Sequence, residues 1–352
     1  LVFGHNFNES LGTSLNNLTN LEQIVFKSHK SYYGKHFGYC KEFGASLNNL
    51  SNLQILIMGP EQLSLGTSLD HLINLKELTL GYMYNTHIKN SLDNLINLNT
   101  IIFGTYFNRQ LEHSFDNLIN LETIEFGEYF NQDLNNSFDK LNNLKNLSFG
   151  SNFDAPFEHS LDNLVNLNYI SLGKNFNTPL GHSFYKLINL ETLIFSEDFD
   201  QPLDDSLSCL INLKYFDQPL ENSLDNLINL EDLKFGGKFN QYIYESLDKL
   251  LNLKFLTFGK RFSYNLEDVE LFKTNPVEIF LGEYYYQDIN SLLDKFPLIK
   301  ITIINSDGGD IFISEENNER LYVENIDPTS DSEELDPRDD PDYEMFGRGY
   351  KK

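Results

Sequence analysis

Apolar residues recur along this chain in one fixed order. A representative stretch runs Leu98-x-x-Ile101-x-Phe103-Gly104-x-x-Phe107-Asn108-x-x-Leu111-x-x-Ser114-Phe115-x-x-Leu118-x-Asn120, and Leu121 opens the same order again. Ile101 and Phe103 alternate with a variable residue, which marks a short strand with one buried face. Gly104 follows at once and predicts a tight corner. Leu111, Phe115 and Leu118 lie three or four apart, as on 3₁₀ or helical turns of a return path.

The serines of successive Ser-Leu and Ser-Phe pairs give the period. They fall at Ser14, Ser46, Ser68, Ser91, Ser114, Ser137, Ser160, Ser183, Ser206, Ser223 and Ser246, with spacings of 32, 22, 23, 23, 23, 23, 23, 23, 17 and 23. Two looser units begin near Val269 and Ser291, giving about 13 units in all. One unit cannot bury its own apolar positions, but stacked units form a continuous core. The expected fold is therefore an α/β repeat solenoid over residues 1–304. Each turn of ~23 residues carries one short parallel β-strand, with irregular, 3₁₀ or short helical return segments.

An asparagine stands before the opening Leu of most units, among them Asn74, Asn97, Asn120, Asn143, Asn166 and Asn189. A merely exposed position would drift among polar residue types. A constant amide is expected to form a ladder that satisfies backbone groups of its own and the neighbouring turn, with the serine hydroxyls doing similar work.

The period and the strand pattern resemble leucine-rich repeats, whose units run ~20–29 residues. A closer resemblance is to the FNIP repeat, named for a Phe-Asn-Ile-Pro element. Here that element reads Phe176-Asn177-Thr178-Pro179-Leu180, Phe199-Asp200-Gln201-Pro202-Leu203 and Phe216-Asp217-Gln218-Pro219-Leu220, with weaker copies at Phe7-Asn8, Phe107-Asn108, Phe130-Asn131 and Phe239-Asn240. The unit is also similar to the 23-residue BspA-type leucine-rich repeat, with Ser-Phe and Leu at its Ala-Phe and Cys positions. The resemblance implies a right-handed coil and an origin in amoebae or the giant viruses that infect them. It brings no catalytic residues. Some FNIP proteins carry an F-box ahead of the repeats, but no residues here resemble one.

Four departures interrupt the array. The chain opens mid-unit at Leu1-Val2-Phe3-Gly4, which would leave the first strand edge bare, so an upstream segment is expected. Nine extra residues fall near 27–41, where Lys27, Lys30, Lys35 and Lys41 accompany Tyr32, Tyr33, Phe37 and Tyr39; this is either a binding loop or a tolerant edge repeat. The unit at 206–222 is six residues short, and a break in the strand ladder near Tyr215 is expected. Toward the end, Ile311-Phe312-Ile313 and Leu321-Tyr322-Val323 are expected to pair as a capping hairpin within 305–325. The acidic, proline-containing stretch 326–352 is expected to be disordered.

Candidate chemistry is sparse. Cys40 and Cys209 are about seven turns apart, roughly 34 Å at ~4.8 Å per turn, whereas a disulfide needs Cα atoms within ~7 Å. They cannot pair within one chain, which favours a reducing intracellular compartment, the host cytoplasm if the protein is viral. His113, His159 and His182 share a column otherwise filled by Thr, Ala, Asn, Asp and Glu, a variety which indicates a solvated position. There is no phosphate loop, nucleophile elbow or zincin motif. No catalytic residue, cofactor or metal site is expected.

Charge narrows the partners. Against 52 Asp and Glu stand 26 Lys and Arg, a net charge of −26. That opposes nucleic acid and anionic membrane as partners. Residues 305–352 hold 15 acidic and 5 basic side chains, so −16 remains on the repeats. The outward strand positions are by contrast mostly uncharged. They include Ile102, Tyr169, Thr192, Ile194, Tyr215 and Phe255, and Tyr169, Tyr215 and Phe255 are the expected anchors for a protein partner. Strand propensity alone would also favour such residues there. The expected function is a non-enzymatic, monomeric scaffold for protein–protein interaction. The alternatives are an F-box-type adaptor for ubiquitin ligation with its recruiting module upstream, or a surface or particle structural protein.

Overall fold

The computed structural model describes residues 1–4, 7–27, 39–40, 46–59, 65, 67–195, 199, 201, 206–216, 227–235, 240, 247–304 and 310–313. Residues Leu1–Phe312 make one compact unit. Its backbone is a parallel-strand solenoid with little helix.

Fifteen short strands form one sheet in which neighbours follow chain order. From Val2–Phe3 through Lys300–Ile304 every neighbouring pair is parallel. The central strands are three residues long, such as Thr100–Ile102, Thr123–Glu125, Asn146–Ser148 and Tyr169–Ser171. Their middle residues Ile101, Ile124, Leu147 and Ile170 are fully buried, while the flanking ones are half-buried or exposed. Later turns depart from this pattern. A 3₁₀ turn at Glu270–Lys273 and an α-helix at Ile289–Lys295 replace the usual return. The helix starts where the Asp288 side chain accepts the backbone N–H groups of Asn290 and Ser291, an N-cap that its aspartate supplies.

Identical side chains stack through the core. Phe107, Phe130, Phe153, Phe176 and Phe199 lie near-parallel at 6.0 Å between ring centres. The strand-end rings Phe103, Phe126 and Phe149 stack at 5.0 and 5.4 Å. Burying one such side chain favours folding by roughly 1.5–3 kcal/mol, so the repeat order is itself the main source of stability.

The corner glycines leave no room for a side chain. A Cβ built on Gly127 would collide with the carbonyl of Gly104, and the same holds along Gly104, Gly150 and Gly173. The requirement here is a close approach of one turn's backbone to the next.

The ladder does not break at the short unit. Tyr215 and Phe216 pair in register with Thr192 and Leu193 on one side and with Asp232 and Leu233 on the other. The expected break is thus corrected, although the strand shrinks to two residues. The physical reason is the anchoring of each turn. Lys214 N–H donates to Glu191 O at 2.8 Å, Asp232 N–H to Lys214 O at 2.8 Å, and Asn229 Nδ2 to Ile211 O at 2.6 Å. Residues 217–226 lie outside the described residues.

In the inserted region, Tyr39–Cys40 pairs in parallel with Asn8–Glu9 as a separate two-stranded ladder, and the rest of the insertion lies outside the described residues. Asp310–Ile313 takes the place beside Lys300–Ile304 at the end of the main sheet. Leu321–Val323, the expected second hairpin strand, and the stretch 326–352 lie outside the described residues.

Replacing Gly127 by Ala is expected to destabilise the solenoid by about 1–3 kcal/mol, the usual range for forced overpacking, read as an earlier midpoint in urea denaturation. An unchanged midpoint would show that neighbouring turns separate easily.

Candidate functional site

Two columns of polar side chains tie successive turns together, and they work in opposite senses. In the first, the amides donate. Asn74 Nδ2 reaches Ser51 O at 2.8 Å, Asn97 reaches Ile73 O at 2.8 Å, and Asn120 and Asn143 reach Ile96 O and Ile119 O at 2.9 Å. Asn166 and Asn189 bond Asn142 O and Val165 O at 2.8 Å. In the second column the side-chain oxygen accepts the backbone N–H of the next turn. Asn85 Oδ1 takes Asn108 N–H, Asn108 Oδ1 takes Asn131 N–H, and Asn131 Oδ1 takes Asp154 N–H, each at 3.0 Å. Asp154 Oδ1 then takes Asn177 N–H at 2.7 Å.

This difference explains the composition. A carboxylate only accepts. Aspartate can therefore stand in the accepting column, as Asp154 does, and the donating position is Asn in every unit from Asn20 to Asn275. The accepting column is the Asn of the Phe-Asn element; its role was visible in the Asn/Asp exchange but not in the spacing.

A third tie involves the serines. Glu112, Asn135 and Glu158 have φ near +48°, and Gly12 and Gly181 have φ of +56° and +52°. Ser46, Ser137 and Ser160 donate to the carbonyls of Gly12, Glu112 and Asn135 at 2.8–2.9 Å. Ser114 faces the differently shaped 3₁₀ turn at Lys89–Leu92 and its buried hydroxyl finds no partner.

On the sheet, register places the sequence-predicted face. Tyr169, Thr192 and Tyr215 are consecutive partners in one row, which continues through Asp232 to Phe255. Ile102 and Ile194 belong to a second row, joined through Glu125, Ser148 and Ser171. Phe255 is 41% exposed, whereas Tyr169, Thr192, Ile102 and Ile194 are half-buried. The side chain of Tyr215 lies outside the described residues. Asp232 sits between two of the proposed anchors, and burial raises its carboxyl above the usual range while Lys234 pulls the other way.

A different surface escaped the sequence reading. Directly before the donating Asn of most turns stands an aliphatic residue that points into solvent: Ile73, Ile96, Ile119, Val165, Ile188, Ile211, Ile228 and Leu251, from 43% exposed at Val165 to 66% at Leu251. The signal was the recurring Leu-Ile-Asn-Leu, in which both leucines are buried and the Ile between them faces out. Three residues ahead of this ridge runs a stripe of Asp70, Asp93, Asp116, Asp139 and Asp162. Burial and then the charges of Asp116 and Asp70 hold the Asp93 carboxyl above its ordinary range. Across the ridge, charges cancel from turn to turn: Lys145 pairs with Glu122 and Lys214 with Glu191 at 3.0 Å, and Lys254 with Glu231 at 2.8 Å.

His159 pairs with Asp162 at 3.3 Å, and His182 packs on the Tyr185 ring. Among the described residues, no group of three His, Cys, Asp or Glu side chains is placed to hold a metal, and no helix is long and apolar enough to cross a membrane. Cys209 is a free thiol.

No protein-family model matches the chain, and no curated protein sequence does either. Solved structures do resemble it, and those compared are leucine-rich-repeat proteins. An internalin (inlF) from Listeria monocytogenes superposes with a TM-score of 0.64 at 19% identity, over 86% of this chain and 85% of that one. CroV588, described as a novel circular LRR protein, gives 0.61 at 23% identity over 82% of this chain and 44% of its own. TLR13, solved in complex with ssRNA13, gives 0.53 at 14% identity, over 81% of this chain and 50% of that one. The present chain thus spans about half the length of the latter two. The fold is a leucine-rich-repeat solenoid with a period of ~23 residues.

The two columns make a paired prediction. Asn120→Asp removes a donor and sets a carboxylate beside the Ile96 carbonyl; it is expected to cost about 1 kcal/mol, moderated by solvent at this exposed position. Asn131→Asp keeps the acceptor and is expected to stay within about 0.5 kcal/mol of wild type. Equal losses in urea denaturation would contradict the donor–acceptor assignment. A second prediction concerns Asp93. Because folding raises its pKa, the ionised group opposes folding, and stability falls as pH rises from the ordinary carboxylate range through the raised value. Asp93→Asn should therefore raise the thermal midpoint at pH 7, with the gain vanishing below about pH 3.9, the unperturbed aspartate value.

Proposed function

We propose that this chain is a non-enzymatic scaffold that binds another protein through the exposed face of its sheet or the loops beside it. The observation that carries this reading is the row from Tyr169 through Thr192, Tyr215 and Asp232 to Phe255, a strand face with an exposed aromatic at its far end. Aromatic residues with few charges about them are the usual centre of a protein interface, and Asp232 is the single charged residue in this row. The net charge of −26 opposes a phosphate backbone on the same face, so protein is favoured over nucleic acid as the partner.

Within the leucine-rich-repeat class, the Phe-Asn elements support an FNIP or BspA-type assignment, with the amoebal or giant-virus origin that this resemblance implies. The second column of hydrogen bonds gives that element a structural purpose, since its Asn or Asp caps the next turn.

The test is a pull-down from host-type cell extract with the full chain, comparing wild type with Tyr169→Ala plus Phe255→Ala. At least one specific partner is expected to be retained by wild type and depleted tenfold or more by the double variant. Partners retained equally by both forms would sink the strand-face reading.

A further inference from the structure

The aliphatic ridge is the strongest unexplained feature of the surface. Eight turns present a β-branched or Leu side chain to water at one position, in a protein that buries most of its other Leu and Ile side chains. The fold does not require an apolar residue there: Asn142 occupies the same position in one turn, is exposed, and its carbonyl still accepts the Asn166 amide at 2.8 Å. The ridge backbone is also held in place. The carbonyls of Ile73, Ile96, Ile119, Val165 and Ile188 each receive an asparagine amide from the next turn. An exposed apolar row on a fixed backbone is a preorganised contact surface.

Its flanks select the occupant. On one side lies the aspartate stripe, where Asp70 and Asp116 both act on Asp93 as like charges. On the other side the Lys and Glu residues neutralise one another in pairs. Two histidines partly attend the stripe, His113 at 3.2 Å from Asp116 and His159 at 3.3 Å from Asp162. A second copy of this chain would bring an identical acidic stripe against the first, and nucleic acid or anionic lipid would be repelled likewise. A cationic partner is attracted.

Spacing selects the partner's conformation. Successive turns are separated by ~4.8 Å at the strands and by 6.0 Å at the stacked phenylalanines. An α-helix rises 5.4 Å per turn, between these two separations, so a helix lying along the ridge keeps about one of its turns per solenoid turn and meets an aliphatic residue at each one except that of Asn142. Extended chain repeats each face only every ~6.6–6.8 Å and drifts out of step.

We propose that the aliphatic ridge, with its aspartate stripe, is a docking surface for a basic amphipathic helix of another protein, whose apolar stripe packs on the ridge while its Lys or Arg row faces the aspartates. This deepens the scaffold reading but uses a different surface from the sheet face.

The test uses the full chain and a dye-labelled 18-residue helical peptide of Leu and Lys, with Leu at i, i+3, i+4 and i+7, followed by fluorescence anisotropy at 50 and 300 mM NaCl. Wild type is expected to bind with micromolar affinity at low salt and at least tenfold more weakly at high salt. Ile96→Asn plus Ile119→Asn, which copies the Asn142 already present at this position, is expected to weaken binding tenfold or more while the thermal midpoint stays near wild type. Asp93→Asn plus Asp116→Asn should flatten the salt dependence. Tyr169→Ala plus Phe255→Ala should bind as wild type does. The inference is overturned if wild type does not bind, if the ridge variant binds as well as wild type, or if a peptide with Glu for Lys or with a scrambled Leu pattern binds equally. Loss of binding in the Tyr169/Phe255 variant alone would overturn the ridge and leave the strand-face reading standing; a failed pull-down beside successful ridge binding would do the reverse.

Discussion

Everything in this solenoid depends on satisfying the backbone at its corners. Between strands the parallel ladder supplies hydrogen bonds, but each turn must bend several times where no ladder exists. A carbonyl left without a partner at such a bend loses about 1–3 kcal/mol if it is shielded from water. The chain meets this constraint with one side chain per corner, offered to the next turn: asparagine amides, asparagine or aspartate oxygens, and serine hydroxyls. The apolar core adds most of the free energy, but these ties fix the register in which it stacks. The short unit shows their strength, because its strand and its asparagine tie persist where six residues are missing.

The same constraint sorts the surface into parts with different freedom. Columns that tie one turn to the next hold one residue type, or two where only an acceptor is needed. Columns on the sheet face vary, as in the row from Tyr169 through Thr192, Tyr215 and Asp232 to Phe255. The aliphatic ridge belongs to neither group: its backbone is used in turn after turn, its side chains stand in solvent, and yet in eight turns they are aliphatic. Recurrence of exposed aliphatic residues without an internal purpose is the reason to look for an external one.

Much of this was legible in the sequence. The period, the strand position at Ile101, the buried Leu and Phe columns and the glycine corner follow from spacing alone, and the buried and outward alternation at Thr100, Ile101 and Ile102 is what the pattern implies. The continuity of the ladder at Tyr215 was not legible, because counting residues around a circuit treats every segment as equally stiff. The strand at Tyr215 and Phe216 is held by bonds on both sides, so it keeps its register where the unit is short. The ridge was missed for another reason. A search for helical or strand periods assigns apolar residues to the inside, and an Ile between two buried leucines reads as more core. Only the turn geometry shows that one of three closely spaced apolar positions must face out. The direction of the hydrogen bonds in the asparagine column was likewise beyond spacing, although the exclusion of aspartate carried it.

The corner ties share one orientation. Asn120 donates back to Ile96, Asn131 N–H back to Asn108, Ser137 back to Glu112 and Tyr129 N–H back to Thr105; in each case the donor belongs to the later turn. Their dipoles therefore add along the stack rather than cancel, as peptide dipoles do along a helix. The corners of such a stack are electrically directional. The bias belongs to the corners alone, because at the strand ends the earlier turn donates, as Phe103 N–H does to Glu125 O and Phe126 N–H to Ser148 O; a surface that seals one face must match donors at its corners, and one that seals the other must match lone pairs there.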